Sequence, residues 1–296
     1  MIVVNDGSSD GTSELVRSFS DRLPLILIDS PPSGIAIAKN IGVEVSIADL
    51  LLFFDDDDVA SPLLLKTHLE AHVRYPLEHV AVLGYTDWHP DLLKTEVMRF
   101  VTEVGAYLFA YAPLRPAQLL DHTYFWGGRS SCKKSLLRRS GGFRADFTFG
   151  SEDIEAGYRM SRIVAEEHPR ASATSTALGL VVVYCPEATQ YMNRPITYDE
   201  FCQRCLRQGR SQWQFSRFYQ DPNVLAWCGV HDAARRWSEI SEQLDENVAR
   251  VHELEPLIEA GVAGHHGSLL QELHDLYWWT FEAFKLKGIM EAAGVE

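Results

Sequence analysis

Short apolar runs separated by polar, glycine-rich breaks fill the first two thirds of the chain. Ile2-Val3-Val4 is β-branched and ends at Asn5-Asp6-Gly7-Ser8-Ser9-Asp10-Gly11-Thr12. The second half of that loop can cap a helix, and Thr12 to Phe19 has helical spacing. Leu25 to Ile28 is a second strand, closed by the turn-prone Asp29-Ser30-Pro31-Pro32-Ser33-Gly34. A helix is expected over Ile35–Ile47. Leu50 to Phe54 is apolar throughout, as a strand covered on both faces would be. Further strands are expected at Val80–Tyr85, across Tyr124–Cys132 and at Leu180–Tyr184, with helices at Ser135–Arg139 and Ile154–Glu166. Strands alternating with helices predict an α/β domain with a mostly parallel sheet flanked by helices.

After Pro195 the period changes. Thr197–Phe218, Asp232–Glu259 and Ser268–Ala293 are long amphipathic patterns with few β-branched residues. The expected organisation is therefore an α/β domain over residues 1–215 and a C-terminal helical extension over 216–296. Leu273, Tyr277-Trp278-Trp279 and Phe281 would pack that extension on the main domain or form an interface between copies of the chain, making a homo-oligomer.

Composition narrows the function classes. Among 296 residues, 27 Lys and Arg face 41 Asp and Glu, a formal charge of −14. Such a chain lacks the cationic face that nonspecific nucleic-acid binding needs. No apolar run approaches the ~20 residues of a membrane span. The five cysteines form an odd count, and MIVVNDGSSDG has no basic leader. Both features predict reduced thiols and a cytoplasmic protein.

Four stretches could carry chemistry. Asp55 to Asp58 follow an apolar strand, at the end of a sheet where α/β proteins bind ligands. If the strand pleat continues, Asp55 and Asp57 point one way and Asp56 and Asp58 the other. Converging carboxylates suit Mg²⁺ or Mn²⁺, although a solvated acidic turn has the same composition. Asp6 follows a strand too and could accept hydrogen bonds from a base or ribose, or be part of an ordinary Asn/Asp/Gly turn. In Ser151-Glu152-Asp153-Ile154-Glu155, Ser151 can cap a helix whose first turn favours acids; one of those acids could equally serve as a general base. Arg204, Arg207 and Arg210 lie three apart and could meet phosphate or ion-pair along a helix. Cys202 and Cys205 sit within that helix without a second pair, which favours buried thiols over a metal site.

The order of the pieces is more specific than any one of them. VVNDGSSDGT, GIAIAKNIGV, LLLFFDDDDVASP, WGGRSSCKKSLLRRSGGF and FGSEDIEAGYRM together resemble the family 2 glycosyltransferases of the GT-A fold, over roughly residues 1 to 215. The resemblance implies an inverting, metal-assisted transfer of a sugar from a nucleotide-diphosphate donor to an acceptor hydroxyl on a glycan, a lipid-linked molecule or a small molecule. It implies that Asp6 reads the nucleobase and that Lys39 helps hold the nucleotide. Asp55 lies near the ribose and Asp57 on the metal, with Asp55 and Asp56 completing a DXD-type motif. Asp153 becomes the general base with Glu152 beside it, and Arg207 and Arg210 join the donor site. Two departures accompany the likeness. Relatives begin with a further strand and helix before the VVNDGSS segment, so a donor site lacking one strand is expected. The family's frequent histidine after the last strand is absent from Tyr191-Met192-Asn193-Arg194-Pro195, leaving the metal to Asp57 and the diphosphate. The first departure keeps a truncated, non-catalytic binding module as an alternative. A nucleotidyltransferase is the other alternative; it has no use for the Glu152-Asp153 pair, and its glycine-rich basic N-terminal loop is absent.

Overall fold

A computed structural model describes residues 1–168, 179–261 and 266–295. The chain forms β1 (Ile2–Asp6), α1 (Thr12–Arg17), β2 (Ile26–Ser30), α2 (Ile35–Val45), β3 (Leu50–Leu52), β4 (Asp58–Ala60), α3 (Leu64–Arg74) and β5 (Val80–Trp88). Next come α4 (Glu96–Arg99), continued by a π-helical turn at Phe100–Val104, then β6 (Leu119–Leu120), β7 (Ser130–Lys133), α5 (Lys134–Arg139), α6 (Glu152–Glu167) and β8 (Val181–Met192). The last five helices are α7 (Tyr198–Phe218), α8 (Pro222–Cys228), α9 (Ala233–Ile240), α10 (Leu244–Glu259) and α11 (His266–Ala293).

Two compact units share these elements. The first comprises Met1–Thr86 and Leu114–Tyr191, the second Asp87–Pro113 and Met192–Glu296. The units thus divide elsewhere than at the expected 215/216 boundary, which falls inside α7. Residues 87–113 join the helical unit through contacts far apart in sequence, such as His274 Nε2 with Glu96 Oε1 at 2.8 Å.

In the first unit β1 and β2 form a parallel pair, and a separate sheet runs β3-β7-β5-β8-β4 with β6 on β8. The described registers of this larger sheet, β3–β7, β5–β7 and β6–β8, are antiparallel. The expected parallel pairing thus holds for β1 and β2, whereas the described pairs of the larger sheet are antiparallel. Strand–helix alternation predicts parallel crossovers, but β7, entered through a 3₁₀ turn at His122–Tyr124 and a tight turn, pairs antiparallel with both β3 and β5. Those turns also occupy the first half of the strand expected over Tyr124–Cys132. The core centres on β5, where Val80 to Leu83 are at most 5% exposed. Val80, Val82 and Leu83 each contribute about 1.5–3 kcal/mol on burial, and α6 adds Ile154, Met160 and Val164.

The helical unit is organised by α7 and α11. Thr197 starts α7 with a full capping box: its hydroxyl accepts from Glu200 N, and the Glu200 carboxylate accepts from Thr197 N. A Cβ on Gly209 would collide with the Lys285 carbonyl oxygen, and one on Gly288 with that of Leu206. These two glycines let the helix backbones touch. Around the crossing, Phe100, Phe201, Tyr277 and Phe281 are buried, with the Phe201 and Phe281 rings 4.6 Å apart. The single helix expected over Asp232–Glu259 is instead α9, a 3₁₀ turn at Ser241–Gln243 and α10.

Candidate active site

Asp6 ends β1, and its carboxylate reaches across to the loop before α2. Oδ1 accepts from Ser33 N (2.8 Å) and Ser33 Oγ (2.7 Å), and Oδ2 from Gly34 N (2.8 Å). These bonds satisfy donors that the start of a helix leaves unpaired. They hold the Asp6 pKa below the usual carboxylate range, the Ser33 hydroxyl contributing most. About one of its four lone-pair sites remains. Asn5 beside it is buried and donates to Ser13 Oγ and Asp29 Oδ1, tying the β1 loop to β2.

Lys39 and the start of α6 form the densest charge cluster. Lys39 Nζ lies 2.7 Å from Glu152 Oε1 and over the Phe143 ring at 5.4 Å. Burial alone would lower the lysine pKa; the charges of Glu152, Asp153 and Asp55 outweigh it and hold the ammonium above its usual range. Asp153 Oδ2 accepts from Gly127 N at 2.6 Å and Oδ1 from Ile154 N at 2.8 Å. Burial, then the adjacent Glu152 charge, pushes the Asp153 pKa up to about 6, against the opposing pull of Lys39. Glu152 Oε2 is buried without a hydrogen-bond partner.

The backbone around this cluster is strained. Ser151 has φ 62° and is 2% exposed. In that left-handed conformation its hydroxyl does not cap α6, contrary to expectation, and has no partner. A serine there costs on the order of 1–2 kcal/mol. Gly127 and Gly128 are also committed. A Cβ on Gly127 would lie 2.5 Å from Lys39 Nζ and 3.1 Å from Asp153 Cβ; one on Gly128 would strike the Asp55 carboxylate.

The four aspartates do not behave as a continued strand. β3 stops at Leu52, and Asp55–Asp58 fold back with Asp58 N bonded to Asp55 O at 3.3 Å. The alternation expected of Asp55 to Asp58 is therefore replaced by four distinct environments. Asp55 accepts from Arg129 Nη2 at 3.1 Å. Asp56 is exposed and Asp57 half-buried. Asp58, which a solvated acidic turn would expose, is 9% exposed and accepts from Gln190 Nε2, which also donates to Gly128 O at 2.8 Å. Burial raises the Asp58 pKa to about 6 despite Arg129 and Gln190.

The structure thus brings Lys39, Glu152 and Asp153 together, with Asp55 close enough to act on the lysine. Asp6 has its own partners, Ser33 and Gly34. Arg207 and Arg210 belong to the helical unit, where Arg210 pairs with Glu291 at 2.6 Å and Arg207 is exposed. Sequence reasoning missed Arg129, Gln190 and the roles of Gly127 and Gly128. The Trp126-Gly127-Gly128-Arg129 string was the available signal: paired glycines before a strand mark a close backbone approach. No group of three or more His, Cys, Asp or Glu side chains with metal-binding spacing occurs among the described residues, and no described helix is long and apolar enough to cross a membrane.

Comparison with known proteins places this cluster in context. Residues 1–137 match the family described as glycosyl transferase family 2. A validoxylamine A glucosyltransferase of Streptomyces hygroscopicus subsp. jinggangensis (strain 5008) is 32% identical over 184 residues, 54% of this chain and 43% of that protein. A chondroitin synthase of Escherichia coli is 23% identical over 191 residues, 55% of this chain and 28% of that protein. The crystal structure of S. aureus TarS matches with a TM-score of 0.50 at 12% identity, covering 96% of this chain and 48% of that one. At that identity the likeness is one of fold, the GT-A type. The chain spans less than half the length of the first curated relatives it matches. The segment from residue 1 to residue 137, which carries Asp6, Lys39, Asp55 to Asp57 and the two glycines, is the part of the chain similar to glycosyl transferase family 2.

Proposed function

We propose that this chain holds the catalytic domain of an inverting glycosyltransferase that moves a sugar from a nucleotide-diphosphate donor to an acceptor hydroxyl. The observation that carries the reading is Asp153. A carboxylate fixed by two backbone N–H groups, with a pKa raised to about 6, is placed and tuned to take a proton near neutral pH. In the reaction the acceptor O–H gives its proton to Asp153 as the oxygen bonds to the anomeric carbon. The bond from that carbon to the diphosphate oxygen breaks, and the diphosphate leaves with the electron pair. Lys39 opposes the negative charge of Glu152 and Asp153, keeping Asp153 ionised over more of the working range. Arg129 fixes Asp55 for contact with the donor ribose.

A hard divalent cation fits the donor set only in part. Asp56 and Asp57 carry oxygens of the kind such a cation takes, and one Asp55 oxygen is engaged by Arg129. That suits Mg²⁺ or Mn²⁺ held by one or two carboxylates and completed by substrate phosphates. When bound, the cation would neutralise charge developing on the diphosphate. Asp6 acts first as a clip between β1 and α2 and offers its remaining lone pair to the base. The sugar and acceptor follow from no residue of this chain; the relative's name, validoxylamine A glucosyltransferase, makes glucose the first donor sugar to test.

The test is a transfer and donor-hydrolysis assay over a panel of nucleotide-sugars with Mg²⁺, Mn²⁺ or EDTA. Metal-dependent release of nucleoside diphosphate is expected, reduced at least tenfold in Asp57→Asn. No release with any donor, or equal turnover in that variant, would overturn the reading.

A further inference from the structure

The helical unit contains a cavity of about 650 Å³ that the proposed transfer does not use. Its size falls within the range of small-molecule sites. One wall is aromatic, made by Tyr107, Trp278 and Trp279. Trp278 is fixed: the Phe100 ring meets it edge-on at 5.8 Å, the Tyr107 ring lies 5.0 Å away, and the Tyr107 hydroxyl contacts the Trp278 carbonyl at 3.4 Å. Yet Trp278 is 46% exposed. A large ring held in place by two others and open on one side can serve as a stacking platform.

The polar wall decides what the platform would hold. Of the lining carboxylates, Glu282 bridges Arg236 and Lys285, and Glu239 pairs with Arg235. Asp275 differs: its Oδ1 accepts from the neutral amide of Gln271 at 2.9 Å, and among the described residues it pairs with no cation. Asp275, Trp278 and Trp279 sit three and four residues apart on α11, so their side chains share one face. A negative charge without a cationic partner beside exposed π-faces attracts a cation through both the charge and the ring quadrupole. An anionic ligand would meet Glu239, Asp275 and Glu282 against one lining arginine, Arg236, which already pairs with Glu282 and Asp232, so the lining favours a cation over a nucleotide-diphosphate.

We propose that this cavity is a binding site for a small organic cation, a protonated amine seated on Trp278 with its charge at Asp275. The site is independent of Asp153 and of sugar transfer. The test titrates the full chain, without donor, with glucosamine, glucose and propylammonium, following indole N–H resonances and calorimetric heat. Glucosamine and propylammonium are expected to bind and to shift the Trp278 and Trp279 signals, while glucose at equal concentration does not. Trp278→Ala should weaken binding about 5- to 30-fold. Because that change also removes packing against Phe100 and Tyr107, Asp275→Asn is the second variant; it alters only charge at an exposed position and should weaken binding roughly 2- to 5-fold. Binding in Asp153→Asn should equal that of the unaltered chain. Equal affinity for glucose and glucosamine would replace the cation site with a neutral-saccharide site and overturn the proposal. Absence of binding, or unchanged affinity in Asp275→Asn, would overturn it too.

Discussion

Asp6 at the end of β1 and Asp153 at the start of α6 are both carboxylates that accept two backbone N–H bonds in the same unit. Their proton affinities move in opposite directions: the Asp6 pKa falls and the Asp153 pKa rises to about 6. Hydrogen bonds favour the ionised form at both sites. The difference is that Asp153 also sits in a dry pocket beside Glu152, and burial with a like charge outweighs its bonds. The same local motif, an acid next to a helix start, therefore yields a carboxylate held ionised in one place and, in the other, a carboxylate of raised proton affinity, the proposed proton acceptor.

The sharpest way to break this contrast is through turnover. Asp153→Asn removes the proposed proton acceptor, and transfer should fall by about 10²- to 10⁴-fold. In the unaltered chain kcat/KM should rise with pH through about 6 and level off above it, because Asp153 acts only when ionised. The residual activity of the variant should lose that rise. Initial rates from pH 5 to 8 check both points. A variant with full activity and an unchanged pH profile would return Asp153 to the structural class of Asp6.

Much of this contrast was not visible in the sequence. The strands and most helices were, because β-branched runs and 3.6-residue periods are local signals. The identities of Asp6, Lys39 and Asp153 as site candidates came from ordered motifs, which a chain carries whether or not it is folded. The opposite pKa directions were not legible, since they depend on burial and on Lys39 lying 113 positions from Glu152. The same holds for Arg129 on Asp55, for the burial of Asp58, and for residues 87–113 joining the helical unit. Each rests on partners dozens of positions away, where periodicity carries no information.

Stability against pH gives a second, smaller test of the contrast. A carboxylate with a raised folded pKa adds stability below its unfolded pKa and loses it as pH climbs through the folded value. Relative to Asp153→Asn, the unaltered chain should thus lose about 2–3 kcal/mol between pH 4 and 8. Asp6 has the reverse sign: its depressed pKa adds stability above the unfolded value, lost on acidification. Relative to Asp6→Asn, the unaltered chain should gain stability on going from pH 2.5 to 5. Urea unfolding across pH for the three chains reads both slopes. Slopes of one sign would show that burial does not distinguish the two sites.

The smallest expected effect concerns the backbone that presents each acid. Beside Asp6 the left-handed positions are filled by glycine, Gly7 at φ 84° and Gly11 at φ 85°. Before Asp153, Gly150 is followed by Ser151 at φ 62°, a residue that pays a steric penalty there and leaves its hydroxyl without a partner. Ser151→Gly removes both the Cβ and the orphaned oxygen. It should stabilise the chain by about 1 kcal/mol, read as a rise in the urea midpoint. It also frees the turn that aims Glu152 and Asp153, so a fall in kcat with KM unchanged is expected alongside the gain. A stabilised variant with full turnover would separate the strain from the chemistry and make Ser151 a local accident of this turn; a destabilised one would show that the serine is held by contacts worth more than its strain.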